Sequence, residues 1–266
     1  MNTNIMKRNQ VHVSGHGSKT IVFAHGFGCD QLVWNEVAPF FREDYQVVLF
    51  DYVGSGSSDK SQYSKERYNS LQGYAQDLIE VCDALNLTNI VFVGHSVSSM
   101  IGVLASIERP DLMEKLIMIS PSPHYLNESH YRGGFEKSDI DELLDMMEKN
   151  YKEWAKYLAP VAMGNEERPG LTKDFEKQLC SNDPVIARQF AEVTFSSDVR
   201  NELYKVATPT LILQTENDAI APVEVGEFVH WKISNSEFVL MQATGHNPHI
   251  TYPEETVTCI KAFLAK

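Results

Sequence analysis

The chain has 266 residues, 43% of them hydrophobic and 22% charged, and a formal net charge of −13. That length suits one α/β domain carrying an insertion, and the acidity disfavours nucleic acid and anionic membrane surfaces as partners. No stretch approaches the roughly 18 consecutive apolar residues of a membrane helix, and no apolar run follows the basic residues of the N-terminus, so neither a span nor a secretory leader is expected.

The opening "NQVHVSGHG" reads as an antiparallel edge hairpin. "TIVFAHG" follows, a buried-strand run ending in glycine, then "QVVLFDY" with the Gly/Ser turn "VGSGSSD" behind it. "LQGYAQDLIEVCDALNL" sets Leu71, Tyr74, Leu78, Val81, Cys82 and Leu85 at helical spacing. "NIVFVGH" is a third strand, "SMIGVLASIERP" a buried helix stopped by Pro110, and "KLIMIS" a further strand. "PTLILQTEND" and "EFVLMQATGH" supply two more strands, and "PEETVTCIKAFLAK" a closing helix with acidic residues first and lysines last. The strand runs lack polar alternation, as expected where both faces are covered, and alternate with helices, which specifies a mostly parallel sheet flanked by helices.

Residues 122–207 break this rhythm. Their segments read as short helices, with Phe135, Leu143, Met147, Trp154, Leu158, Phe190, Val193 and Phe195 as apolar residues. An all-helical insertion in an α/β alternation is expected either to cap the sheet's carboxyl edge, where such sheets bind ligands, or only to extend the core. The division is therefore 1–121 and 208–266 as core and 122–207 as insertion. The four cysteines, Cys29, Cys82, Cys180 and Cys259, show no C-x-x-C spacing and read as free thiols of a cytoplasmic protein.

"VFVGHSVSSM" places Ser96 between a strand and a helix, the setting of a nucleophile elbow. The G-x-S-x-G pattern has Ser98 at its last position. Small size is the requirement there, so Ser98→Gly is expected to leave hydrolysis intact and Ser98→Leu to disrupt the strand–helix approach. A serine hydroxyl needs a base, and partners are expected in the order Ser, then Asp or Glu, then His. Asp218 and His246 each fall in a loop after a later strand. Glu216 competes as the acid and His249 as the base, while His95 reads as a packed neighbour. The oxyanion formed during acyl transfer needs two donors, expected from the N–H of Val97 and, in "AHGFGCD", of Phe27. "GSGSSD" lacks the third glycine of a dinucleotide loop, and "HNPH" lacks a third ligand for zinc, so neither a cofactor nor a metal is expected.

The loops "HGFG", "DYVGSGSSD", "GHSVSSM", "END" and "GHNPH", in that order, resemble those of an α/β-hydrolase. More closely, "FAHGFGCDQLVWNEVAPFF", "SPSPHYLN", "GGFE" and "CSNDPVIARQFAEVTFSSDVR" resemble the bacterial RsbQ-type stress-response regulators and their plant relatives, the strigolactone and karrikin receptors. The resemblance implies an α/β-hydrolase fold with a four-helix lid inserted after the sixth strand and an apolar pocket beneath it. It implies Ser96, Asp218 and His246 as the triad, Phe27 and Val97 as oxyanion donors, and Phe135, Trp154, Phe190 and Val193 as pocket residues. The implied activity is hydrolysis of a small apolar ester or lactone. The implied bacterial role is positive regulation of a general-stress sigma factor alongside a PAS-domain serine phosphatase. The plant branch, where elbows reading G-H-S-V-S are familiar, implies instead a receptor in which the triad secures the ligand and lid movement signals. A metabolic carboxylesterase without a regulatory partner is the third reading.

Overall fold

In a computed structural model, which describes residues 3–266, a single sheet of seven strands organises the chain. The strands are β1 (His12–Ser14), β2 (Lys19–Ala24), β3 (Tyr45–Leu49), β4 (Ile90–His95), β5 (Met113–Ile119), β6 (Thr210–Thr215) and β7 (Ser236–Met241). Their spatial order is β1-β3-β2-β4-β5-β6-β7. Only β1 is antiparallel to its neighbour.

The helices are α1 (Thr3–Arg8), α2 (Leu71–Ala84), α3 (Val97–Glu108), α4 (Lys137–Lys149), α5 (Tyr151–Met163), α6 (Pro169–Ser181), α7 (Pro184–Phe195), α8 (Val223–Lys232), α9 (Pro248–Thr251) and α10 (Pro253–Leu264). Every apolar run read as a strand is one. Successive strand residues point to opposite faces. Accordingly Phe23, Val93, Ile117 and Leu213 enter one core cluster with α10, while Val22, Phe92, Met118 and Ile212 enter another with α2 and α3.

The start of the chain departs from expectation. β1 does not form a hairpin with β2; it pairs with β3, His12 opposite Leu49. The residues before it form α1, which leaves one strand where a hairpin would give two. The helical insertion consequently follows the fifth strand, not the sixth.

That insertion holds α4 to α7, each begun by its own signal. Glu136 and Asp139 form a capping box on α4, and the Asn150 side chain caps α5. Pro169 opens α6, and Asp183 caps the start of α7 just ahead of Pro184. α1 docks on α2 through ions: Asp77 on α2, wholly buried, accepts from Arg8, Asn9, Arg67, the Tyr68 hydroxyl and the Val53 N–H. No helix among the described residues is long and apolar enough to cross a membrane.

Candidate active site

Parallel strands deliver their following loops to one edge of the sheet. β2, β4, β6 and β7 there present the loops of Phe27, Ser96, Asp218 and His246. Ser96 sits at the turn from β4 to α3 with φ 55° and ψ −122°, a conformation costly for any side chain. Close approach of strand and helix enforces it. A Cβ added at Gly94 would lie 2.6 Å from the Ser98 carbonyl oxygen, so only glycine fits there.

Ser96, His246 and Asp218 form a continuous hydrogen-bonded triad. The Ser96 hydroxyl donates to His246 Nε2 at 2.8 Å, and His246 Nδ1–H donates to Asp218 Oδ2 at 2.7 Å. Asp218 Oδ1 accepts the N–H groups of Ile220 (2.8 Å) and Ala221 (2.9 Å), which orients the carboxylate. All three residues are buried. The competitors fall away on position: Glu216 is exposed, and His249 packs its ring 4.5 Å from Trp34 and 4.3 Å from His95. Burial pushes the His249 pKa down to about 3. His95 is a packed neighbour whose Nε2 bonds the His246 carbonyl at 2.8 Å, and burial holds its pKa well below the usual histidine range.

Val97 opens α3, where backbone N–H groups lack intrahelical acceptors. Phe27 lies in the loop after β2, and its ring faces the same cavity as Ser96. That cavity is lined by Phe27, Ser96, Tyr125, Leu158, Phe175, Phe195, Ile220 and His246, among others, and leaves about 30 Å³ free. By volume this admits one or two waters.

Of the expected pocket residues, none stands on this lining. Trp154 and Phe190 pack against Phe27 at 5.9 and 5.7 Å between ring centroids, and Phe135 packs against Phe195 at 5.9 Å. Val193 faces a separate surface depression beside Asn69 and Gln72. Helical packing thus puts Trp154, Phe190 and Phe135 one layer behind the wall and turns Val193 away from it. Leu158 and Phe195 were marked as apolar by the sequence, but Tyr125, Phe175 and Ile220 were not singled out. Tyr125 is the consequential omission: its hydroxyl is 3.4 Å from Ser96 Oγ, and burial pushes its pKa up to about 12. Its only sequence signal is its place in the loop after a strand.

Ser98 is also more than a small residue. Its hydroxyl bonds the His25 carbonyl and meets the Tyr52 hydroxyl. Among the described residues, no group of three His, Cys, Asp or Glu is placed to hold a metal ion, and the four cysteines are free.

The chain belongs to the α/β-hydrolase family, whose model matches residues 21–258. It is 42% identical to Karrikin insensitive 2 receptor IA of Petunia hybrida over 248 residues, 93% of this chain and 90% of the relative. It is 36% identical to Strigolactone esterase D14 of Arabidopsis thaliana over 264 residues, 99% and 98% of the two chains. A solved hydrolase from Oleispira antarctica superposes with a TM-score of 0.97 at 42% identity, covering 99% of this chain and 97% of that one.

Proposed function

We propose that the protein hydrolyses a small apolar ester or lactone, with Ser96 as nucleophile and residues 122–207 as a lid over a core of 1–121 and 208–266. The observation that carries this reading is the Ser96–His246–Asp218 chain of hydrogen bonds opening onto a small, mostly apolar cavity. Ser96 Oγ attacks the carbonyl carbon while its proton passes to His246 Nε2. The N–H groups of Phe27 and Val97 take the charge that develops on the carbonyl oxygen. Collapse expels the alkoxide, which receives the proton from His246, and water repeats the sequence on the acyl-serine. With about 30 Å³ free, a substrate of more than a few atoms enters only as the aromatic wall moves.

Relatives named as receptors favour a second reading, in which the triad secures the ligand and the moving wall is the signal. The finer assignment to bacterial sigma-factor regulation, with a PAS-domain phosphatase partner and a cytoplasmic site, rests on the resemblance of the insertion's text to RsbQ-type proteins. Relatives named as karrikin receptors and strigolactone esterases weigh toward the receptor side.

Aryl esters and lactones screened with intact-mass detection test both readings. An acyl adduct should map to Ser96. Ser96→Ala should lower turnover by at least about 10⁴-fold while ligand affinity persists. Turnover surviving that substitution would remove the hydrolase reading.

A further inference from the structure

The last position of the serine turn carries a hydroxyl where the G-x-S-x-G pattern has none. Ser98 is wholly buried. Its Oγ–H donates to the His25 carbonyl at 2.5 Å, and its Oγ lies 3.1 Å from the Tyr52 hydroxyl. A serine has one hydrogen to give; with that hydrogen on His25, Tyr52 donates to Ser98.

His25 is locked in turn. Its Nε2 accepts the Tyr52 N–H at 3.3 Å, which leaves the proton on Nδ1 to donate to the Gly26 carbonyl at 2.9 Å. The same carbonyl accepts the Cys29 N–H at 3.3 Å. Among the described residues no peptide bond is cis, so the Phe27 N–H points opposite to the Gly26 carbonyl. Two donors pinning that carbonyl thereby fix the direction of the Phe27 N–H. The loop also abuts the elbow: a Cβ added at Gly26 would lie 2.4 Å from His95 Nδ1.

We infer that Ser98 is a positioning residue: its hydroxyl ties the first turn of α3, which carries the Val97 N–H beside Ser96, to the His25–Phe27 loop, and so holds the two oxyanion donors in register. The inference rests on Ser96 acting as nucleophile. It revises the expectation that position 98 needs only to be small. Glycine satisfies the close approach of strand and helix but cannot make the tie.

Removing an oxyanion donor costs about 10²- to 10³-fold in kcat, and loosening one costs part of that, so a drop of about 10- to 100-fold is expected for Ser98→Gly and Ser98→Ala. The full chain is assayed with p-nitrophenyl acetate. It is also titrated with an aryl trifluoromethyl ketone, whose hemiketal with Ser96 bears an oxyanion, and with the matching carbinol, which forms no hemiketal. Loss should appear in kcat with KM changed less than about 2-fold, and ketone affinity should fall by a similar factor while carbinol affinity holds. Tyr52→Phe, which leaves the bond from Ser98 to His25, should lose less. Ser98 variants that keep wild-type kcat overturn the inference. So does equal weakening of ketone and carbinol, the mark of a general structural role. A wild-type chain no faster than Ser96→Ala overturns the hydrolase reading itself, whereas Ser96-dependent turnover with unaffected Ser98 variants overturns this inference alone.

Discussion

Replacing His249 with phenylalanine should flatten the acid side of the protein's stability curve. The His249 ring is wholly buried against Trp34 and His95, and neither ring nitrogen has a partner among the described residues. Burial, then the nearby His246, lowers its pKa from 6.5 to about 3. Between those two values the unfolded chain holds one proton more than the folded chain. Stability therefore falls as pH falls through that window. One proton is worth about 1.4 kcal/mol per pH unit, so the penalty reaches roughly 3 kcal/mol at pH ~4. Phenylalanine fills a similar volume and binds no proton; its cost near neutrality should stay below about 1.5 kcal/mol. Urea unfolding of both proteins from neutral pH down to pH ~4 tests this, because every other titrating group is common to both. The stability difference should move in the variant's favour by roughly 3 kcal/mol across the range. Parallel curves would show that His249 takes up its proton while folded, and the argument from its burial would fail.

Asp218→Asn should lower kcat by about 10⁴-fold with little change in KM. The Ile220 and Ala221 N–H groups would keep the asparagine oxygen, turn its NH₂ toward His246 Nδ1 and so place the imidazole proton on Nε2, where it cannot accept from Ser96. Steady-state kinetics on an aryl ester decide it, and a loss below about tenfold would refute the tautomer argument. Asp77→Ala should destabilise the fold by about 2–4 kcal/mol: Arg8 and Arg67 keep Glu80 as a partner, but the buried Asn9 amide, Tyr68 hydroxyl and Val53 N–H lose the acceptor they share. A urea midpoint unchanged from wild type would deny the cluster that role.

The triad was legible because each member lies just past a buried strand, and parallel strands send such loops to a common edge. Chain order admits Glu216 and His249 as well as Asp218 and His246; the exposure of Glu216 and the hydrogen bonds made by Asp218 and His246 decide between them. Position 98 shows where such reading stops. Its steric requirement follows from the local turn, but its hydrogen bond reaches a carbonyl 73 residues away. Nothing in the turn itself encodes that partner. The cavity wall was hidden for a related reason. An amphipathic helix announces an apolar face, yet which residue of that face touches the substrate depends on the packing of α5, α6 and α7 against one another. Trp154 and Phe190 are as apolar as Leu158 and Phe195 but sit behind Phe27 instead of beside Ser96. The missing hairpin strand reflects competition of another kind, since Asn9 and Arg8 engage Asp51 and Asp77 and draw the segment before β1 away from the sheet.

The helical insertion is tied to the chemistry unevenly. The end of α5 supports the loop of His246: the Ala162 carbonyl accepts the His246 N–H at 2.8 Å and the Asn247 side chain at 3.3 Å, and Asn165 bonds the Thr244 carbonyl at 3.1 Å. Gly245 lies so close to this turn that an added Cβ would meet the Met163 carbonyl oxygen at 2.1 Å. Displacing that end of α5 therefore also releases the histidine that must face Ser96. Phe195 on α7 lines the cavity and meets its other aromatic residues by ring contacts, at 6.0 Å from Phe27 and 5.1 Å from Tyr125, while hydrogen bonds hold the chain just past α7, at Ser197 and Val199, to the loop of His124. Ring contacts slide at less cost than buried backbone hydrogen bonds break. Under the proposed function, opening the cavity through the body of α7, with α5 and the bonds of Ser197 and Val199 held in place, would admit substrate without dismantling the triad.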